Sequence, residues 1–166
     1  MNASQVRVGQ GFDIHRFSDD PTRRLVLGGV HFEGEPGLAG HSDADVIAHA
    51  VTDALLGAAA LGDIGEHFPD TDPRWRGADS LHLLRHAVHL VRQAGWEVGN
   101  VDCSVVCERP KLAPHRAEMQ RLLTDAAGAS VTVKGRRAEG LGALGRQEGI
   151  ACWAVAVIVQ SRGEDN

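Results

Sequence analysis

Asp13 and His15 stand two residues apart at the end of a strand-like run, and His49 follows on what reads as the first helix. Side chains at i and i+2 of a strand point to the same face, so Asp13 and His15 project together, while Ile14 between them is expected to turn toward a core. One carboxylate oxygen and two imidazole nitrogens around a tetrahedral zinc leave the fourth position open, as in a catalytic rather than a structural site. The chain therefore reads as an enzyme built on an electrophilic metal held by Asp13, His15 and His49.

The stretch from His41 to His49 strengthens that reading. Ser42 is a good N-cap, and Asp45 three residues on completes a capping box, so a helix is expected to start here with His41 just outside it and His49 inside. Asp45 and His49 are then neighbours at i and i+4. A metal-bound histidine gives its second ring nitrogen to a carboxylate or carbonyl, and Asp45 or Asp53 is expected in that role.

The elements that must position these residues follow from periodicity and breakers. Val6 to His15 and Leu25 to Phe32 read as strands that could pair as a hairpin across Ser18 to Pro21. Ser42 to Leu61 reads as a long apolar helix buried on more than one side, closed at Gly62. An acidic, proline-bearing loop runs from Gly62 to Gly77, and Ser80 caps a second helix to Ala94. Val101 to Cys107 is a strand, Pro114 to Ala127 a third helix, Val131 to Lys134 a strand and Ile150 to Gln160 a long last strand. This order describes an α+β fold, a mixed β-sheet with helices packed on one face, in a single domain over residues 1–166.

Composition excludes several classes. The 166 residues carry 22 acids and 17 bases, a net charge of -5, with no basic block, which argues against nucleic-acid binding. No apolar run has the length of a membrane span, and Met1 to Gln10 lacks the apolar centre of a secretory signal, so a cytoplasmic location is expected. Cys103, Cys107 and Cys152 lack metal-binding or disulfide spacing and read as small core residues.

Two motifs are decoys. Gly140 to Gly145 spells G-x-G-x-x-G, but too little chain follows it for a dinucleotide-binding unit. His82, His86 and His89 share a helix face, yet Leu83, Leu84, Ala87, Val88 and Val91 claim the buried side, which leaves the histidines to solvent. Glu118 and Arg121 read as surface charges.

Taken together, several stretches resemble one family, the 2-C-methyl-D-erythritol 2,4-cyclodiphosphate synthases of non-mevalonate isoprenoid synthesis. They are Gly11 to His15, Gly40 to Val46, His49 through Thr52 to Gly57 and on to Gly65, Phe68 to Pro73, Pro110-Lys111, and Gly145-Arg146 with Glu148 to Ala151. The resemblance implies a cyclase acting on a cytidine diphosphate ester that carries a separate 2-phosphate. That phosphate attacks the β-phosphorus, CMP departs and a cyclic diphosphate forms, so positioned cations must bring two anionic groups together.

By the same resemblance zinc on Asp13, His15 and His49 polarises the β-phosphate, and Glu139 helps place magnesium or manganese between the α- and β-phosphates. His41 and Ser42 match the helix-start pair that steadies the attacking phosphate, with the helix N-terminus adding its dipole. Asp63, Ile64 and Gly65 match the segment that holds the carbon chain, and Phe68, Pro69, Asp70, Thr71 and Asp72 the flap beside it. Ala143 and Arg146 fall with the substrate-binding positions of the glycine-rich stretch. Cys107, Glu108, Arg109, Pro110, Lys111, Leu112 and Ala113, with Arg136, match the cytidine pocket. The family is a homotrimer around its sheets, with each active site shared between neighbouring subunits.

One departure stands out. Where the family carries a run of threonines, this chain reads Arg136-Arg137-Ala138-Glu139, so the hydroxyl expected to polarise the α/β-phosphate linkage is replaced at Arg137. Arginine can bind phosphate through two N–H groups but brings bulk and full charge. This leaves two alternatives beside the cyclase: a diverged paralogue for another nucleotide-activated phosphorylated polyol, and a silent trimer that binds a nucleotide or an isoprenoid diphosphate through Arg146.

Overall fold

In the computed structural model, which describes residues 5–161, the chain opens with β1 (Val6–Arg16), the edge of a four-stranded sheet. A two-stranded ribbon follows, β2 (Leu25–Leu27) and β3 (Val30–Phe32), then α1 (Val46–Ala58) and the short α2 (Ile64–His67). Next come α3 (Ser80–Gln93), β4 (Trp96–Val106), α4 (Arg116–Ala127), β5 (Ser130–Arg136), the single turn α5 (Gly142–Gly145) and β6 (Gly149–Gln160). The sheet order is β1-β6-β4-β5, antiparallel except for the parallel β4-β5 pair. The mixed sheet with helices on one face is thus as expected. The ends of the expected 1–166 domain, and residues 1–4 of the segment read for a signal, lie outside the described residues.

Two local expectations fail for identifiable reasons. β1 does not pair with Leu25 to Phe32 but along its whole length with β6, and β2 and β3 pair with each other around Gly28 and Gly29. The long antiparallel ladder between β1 and β6 satisfies far more backbone groups than a short hairpin could. The first helix begins at Val46 rather than Ser42. Its cap is Asp45, whose carboxylate accepts from the N–H groups of Ile47 and Ala48.

The sheet has a covered and a bare face. Gly9, Gly11, Asp13 and His15 alternate inward on β1, and Ile150, Cys152, Ala154, Ala156 and Ile158 do so on β6. The other face presents Val8, Phe12, Ile14, Trp153 and Val155, with Ile14 49% exposed and Phe12 stacked at 4.8 Å on Trp153. Ile14 therefore does not enter the core, because the helices cover only the opposite face.

Gly9 and Gly11 set the distance between β1 and α1. A Cβ on Gly11 would stand 1.9 Å from the Ala50 carbonyl oxygen, and one on Gly9 2.0 Å from that of Ala54. Their hydrogens let the helix lie directly on the strand, closer than any side chain would allow. Most of α1 is Ala, Val, Ile and Leu buried among β6, α3 and the ribbon, which fixes its rotation. Cys103, Cys107 and Cys152 are buried and free, in keeping with their reading as core residues.

Candidate functional site

Because α1 rests on the glycine end of β1, its first turn hangs over the two residues that follow on the same strand face. His49 Nδ1 lies 3.0 Å from Asp13 Oδ2, and His15 Nε2 lies 2.9 Å from the same oxygen. The two ring nitrogens are 3.4 Å apart. Donors around a tetrahedral zinc with bonds of about 2.0–2.1 Å stand about 3.3 Å from one another, so this carboxylate and two imidazoles fit the ion with little movement. Among the described residues they are the only three His, Cys, Asp or Glu side chains gathered closely enough to share a metal.

The hydrogen bonds behind these donors orient them. His15 Nδ1 is 2.7 Å from the Ala39 carbonyl, which can only accept, so that nitrogen carries a proton and leaves Nε2 as the atom that would turn its lone pair to a metal in place of its hydrogen bond to Asp13. His49 Nε2 meets the hydroxyls of Ser80 at 2.8 Å and Ser42 at 3.1 Å. Burial acts to raise the Asp13 carboxyl, but the hydrogen bonds and positive charge of His15 and His49 outweigh it and hold it well below the usual range. Burial conversely disfavours a charged His15, and Asp13 overcomes that to leave His15 raised.

Neither acid expected behind His49 is there. Asp45, fully buried, spends its carboxylate on the N–H groups of Gly28, Gly29, Ile47 and Ala48, tying the ribbon to the start of α1. Burial pushes it up to about 6, with the nearby Asp43 adding to the effect. Asp53 accepts from the Ile64 N–H and so holds α2. At the N-terminus of α1, the helix end expected to add its dipole for the attacking phosphate, Asp45 accepts from the Ile47 and Ala48 N–H groups.

The three metal-site residues line one wall of a cleft of about 580 Å³. His41, Ser42, Ile64, Gly65, Phe68, Pro69, Asp70 and Thr71 complete most of the lining, with Trp75 and Leu83, which the sequence reading did not single out. Trp75 stands edge-on to Phe68 at 5.1 Å, which anchors the flap. His41 Nε2 meets the Asp72 carbonyl at 3.1 Å, while the Asp72 side chain pairs with Arg74. Asp63 lies at the rim, capping α2.

A second, shallower cleft of about 240 Å³ holds Cys107, Glu108, Pro110, Lys111, Leu112 and Ala113 with Arg116, Arg136 and Arg137. Arg137 does not stand free in it: Nε and Nη2 both donate to Glu108 Oε2, at 3.1 and 3.0 Å. That hydrogen bond and charge lower the Glu108 carboxyl. Burial, with Glu108 adjacent, pushes the Cys107 thiol up to about 11, so it stays protonated and inert. Arg109 turns away to Glu35, Arg146 pairs with Glu148, and Ala143 sits in α5, so none of these three lines either cleft. Glu139 follows β5 in the left-handed conformation, φ 52°, apart from both clefts. His82, His86 and His89 are exposed, and Glu118 and Arg121 pair on the surface of α4.

The register places the two clefts. Ile14 on β1, Ala151 on β6, Val106 on β4 and Arg136 on β5 lie in one row across the sheet. The metal-site and Arg136 ends of the sheet thus share a level and stand three strand spacings apart, about 14 Å. No residue lines both clefts.

Comparison with known proteins bears on what this arrangement is. Residues 6–159 match the model of the YgbB family. A 2-C-methyl-D-erythritol 2,4-cyclodiphosphate synthase of Cupriavidus metallidurans is 53% identical over 99% of this chain and 98% of its own. A bifunctional enzyme IspD/IspF of Anaeromyxobacter dehalogenans is 55% identical over 95% of this chain, which spans only 41% of that longer protein. Among solved structures, the bifunctional IspDF of Campylobacter jejuni superposes with a TM-score of 0.89 at 40% identity, covering 95% of this chain and 43% of its own. The CDP complex of Plasmodium falciparum IspF gives 0.82 at 31% identity over 97% of this chain and all of its own.

Proposed function

The chain belongs to the YgbB family, that of the 2-C-methyl-D-erythritol 2,4-cyclodiphosphate synthases, and from that premise we propose that it converts 4-diphosphocytidyl-2-C-methyl-D-erythritol 2-phosphate to the 2,4-cyclodiphosphate with release of CMP. An oxygen of the 2-phosphate bonds to the β-phosphorus as the bond from that phosphorus to the α/β-bridging oxygen breaks, and the electron pair leaves with CMP. The observation that carries this reading is the convergence of Asp13 Oδ2, His15 Nε2 and His49 Nδ1 on one point in the wall of the larger cleft.

Zinc held by those three atoms would supply a Lewis acid for the β-phosphate. The protein's own part is to hold both phosphates in line and keep water out. His41, fixed on the Asp72 carbonyl, couples the cleft floor to the Phe68–Asp72 flap, and Ile64 and Gly65 bound the space for the carbon chain. In the smaller cleft, Cys107, Glu108 and Pro110 to Ala113 would receive the cytidine, with Lys111 and Arg136 toward its phosphates; Glu139, which lies outside the cleft lining, would hold magnesium or manganese, which would supply positive charge to those phosphates.

A substrate that needs both clefts supports a homotrimer in which the metal half of one chain meets the nucleotide half of the next. The bare apolar face of β1 and β6, with Phe12, Ile14, Trp153 and Val155, is the surface such an assembly would bury. No helix of the described residues is long and apolar enough to cross a membrane, and we place the enzyme in the cytoplasm. Because Glu108 holds Arg137, the arginine substitution gives no ground for a different substrate.

Phosphorus NMR of the purified protein with this substrate, zinc and magnesium tests the reading. CMP and a cyclic diphosphate are expected; unchanged substrate with the zinc site filled would overturn it.

A further inference from the structure

The ring nitrogen of His49 that faces away from the metal site ends in a chain of buried and half-buried polar groups drawn from the His41–His49 stretch and the start of α3. His49 Nε2 is 2.8 Å from Ser80 Oγ, and that hydroxyl is in close hydrogen-bond contact with Asp43 Oδ1. Asp43 also accepts the Ser80 backbone N–H at 3.1 Å through its other oxygen. Ser80 is 1% exposed at the start of α3, where the Asp79 side chain, not its own, caps the helix. Its hydroxyl is therefore free of the capping duty that a serine at a helix start normally has.

Proton accounting fixes the direction of this chain. A carboxylate can only accept, so the one Ser80 hydroxyl proton goes to Asp43. Ser80 Oγ then has only lone pairs left for His49, and His49 Nε2 must be the donor. A neutral imidazole with its proton on Nε2 carries its lone pair on Nδ1, the nitrogen that stands 3.0 Å from Asp13 Oδ2. Ser42 Oγ, 3.1 Å from the same Nε2, accepts the Ala44 N–H and has Ser80 Oγ at 3.5 Å to take its own proton, so it does not need His49 as an acceptor.

We propose that Ser80, fixed by Asp43, is the positioning residue that holds His49 as its Nε2–H tautomer and presents Nδ1 to the metal. The proposal rests on the zinc reading above and extends it to residues beyond the ligands. Groups behind a metal-bound histidine typically change affinity by about 10–100-fold when removed. Ser80→Ala removes the acceptor with little change in volume. Asp43→Asn offers an amide N–H to Ser80, which lets the hydroxyl turn its proton toward His49 and favours the wrong tautomer.

The test is zinc affinity by competition with a chelator, read on the full chain alongside its thermal melt without metal. Ser80→Ala is expected to melt closer to the wild type without metal than Asp43→Asn, whose amide would face the Asp45 or Ser80 backbone N–H, and both are expected to bind zinc at least about tenfold more weakly. Long-range proton–nitrogen NMR of zinc-loaded wild type should place the His49 ring proton on Nε2, a readout that needs no variant to fold. Zinc affinity within twofold of wild type in folded Ser80→Ala, or a ring proton on Nδ1, overturns the relay while leaving the zinc site standing. Failure of the wild type to bind zinc at all overturns both.

Discussion

The half proposed to hold the metal and the half proposed to take the nucleotide are held in opposite ways. Asp13, His15 and His49 sit on a strand and a helix whose separation is set by Gly9 and Gly11, and each imidazole is fixed from behind, His15 by the half-buried Ala39 carbonyl and His49 by the buried Ser80 hydroxyl. Lys111, Arg136 and Arg137 sit at the ends of strands and in loops, exposed, and Arg137 is held chiefly by one carboxylate. The difference teaches that the two halves can vary independently. A change in the first must move the core, whereas a change in the second can be absorbed by a surface ion pair.

His49→Ala attacks the rigid half most directly. It removes a metal donor from a helix whose packing lies elsewhere, so turnover should fall to background while the melting temperature without metal is kept; full turnover would break the comparison at its root. Asp45→Ala comes next. It removes the cap of α1 and leaves the N–H groups of Gly28 and Gly29 without their acceptor, a loss of about 2–4 kcal/mol in denaturant unfolding. Gly11→Ala places a methyl against the Ala50 carbonyl and should cost about 1–3 kcal/mol while lifting His49 from Asp13, read as a lower melting temperature together with weaker zinc binding.

The smallest effect is expected in the other half. Arg137→Ala should lower kcat/KM by up to about tenfold, chiefly through KM, and lower the melting temperature only slightly, since Arg137 is exposed although the Glu108 side chain it holds is largely covered. Since Arg137 lowers the Glu108 carboxyl, the pair is intact above the usual glutamate range and is lost as pH falls through the lower folded value. The difference in melting temperature between wild type and Arg137→Ala should therefore shrink in acid.

What could be read from the sequence follows the same division. The shared face of Asp13 and His15 was legible because strand periodicity is local, and the buried side of α3 was legible for the same reason. The placement of Ile14 was not, since periodicity cannot say which sheet face is left bare. The start of α1 was misplaced because Ser42, Asp43 and Asp45 are all competent caps, and only the ribbon's need for a carboxylate selects Asp45. Ser80 and Glu108 were missed as partners because they lie 31 residues from His49 and 29 from Arg137, joined to them only by packing. A serine that follows a capping aspartate, as Ser80 follows Asp79, was the one available signal of a hydroxyl free for other use.

Zinc titration of the metal-free protein in the absence of nucleotide, run on wild type, His49→Ala and Arg137→Ala, tests the central claim most directly. One zinc per chain is expected, with the same affinity in wild type and Arg137→Ala, and none at this site in His49→Ala. Zinc binding that survives His49→Ala, or that is lost with Arg137, would contradict it.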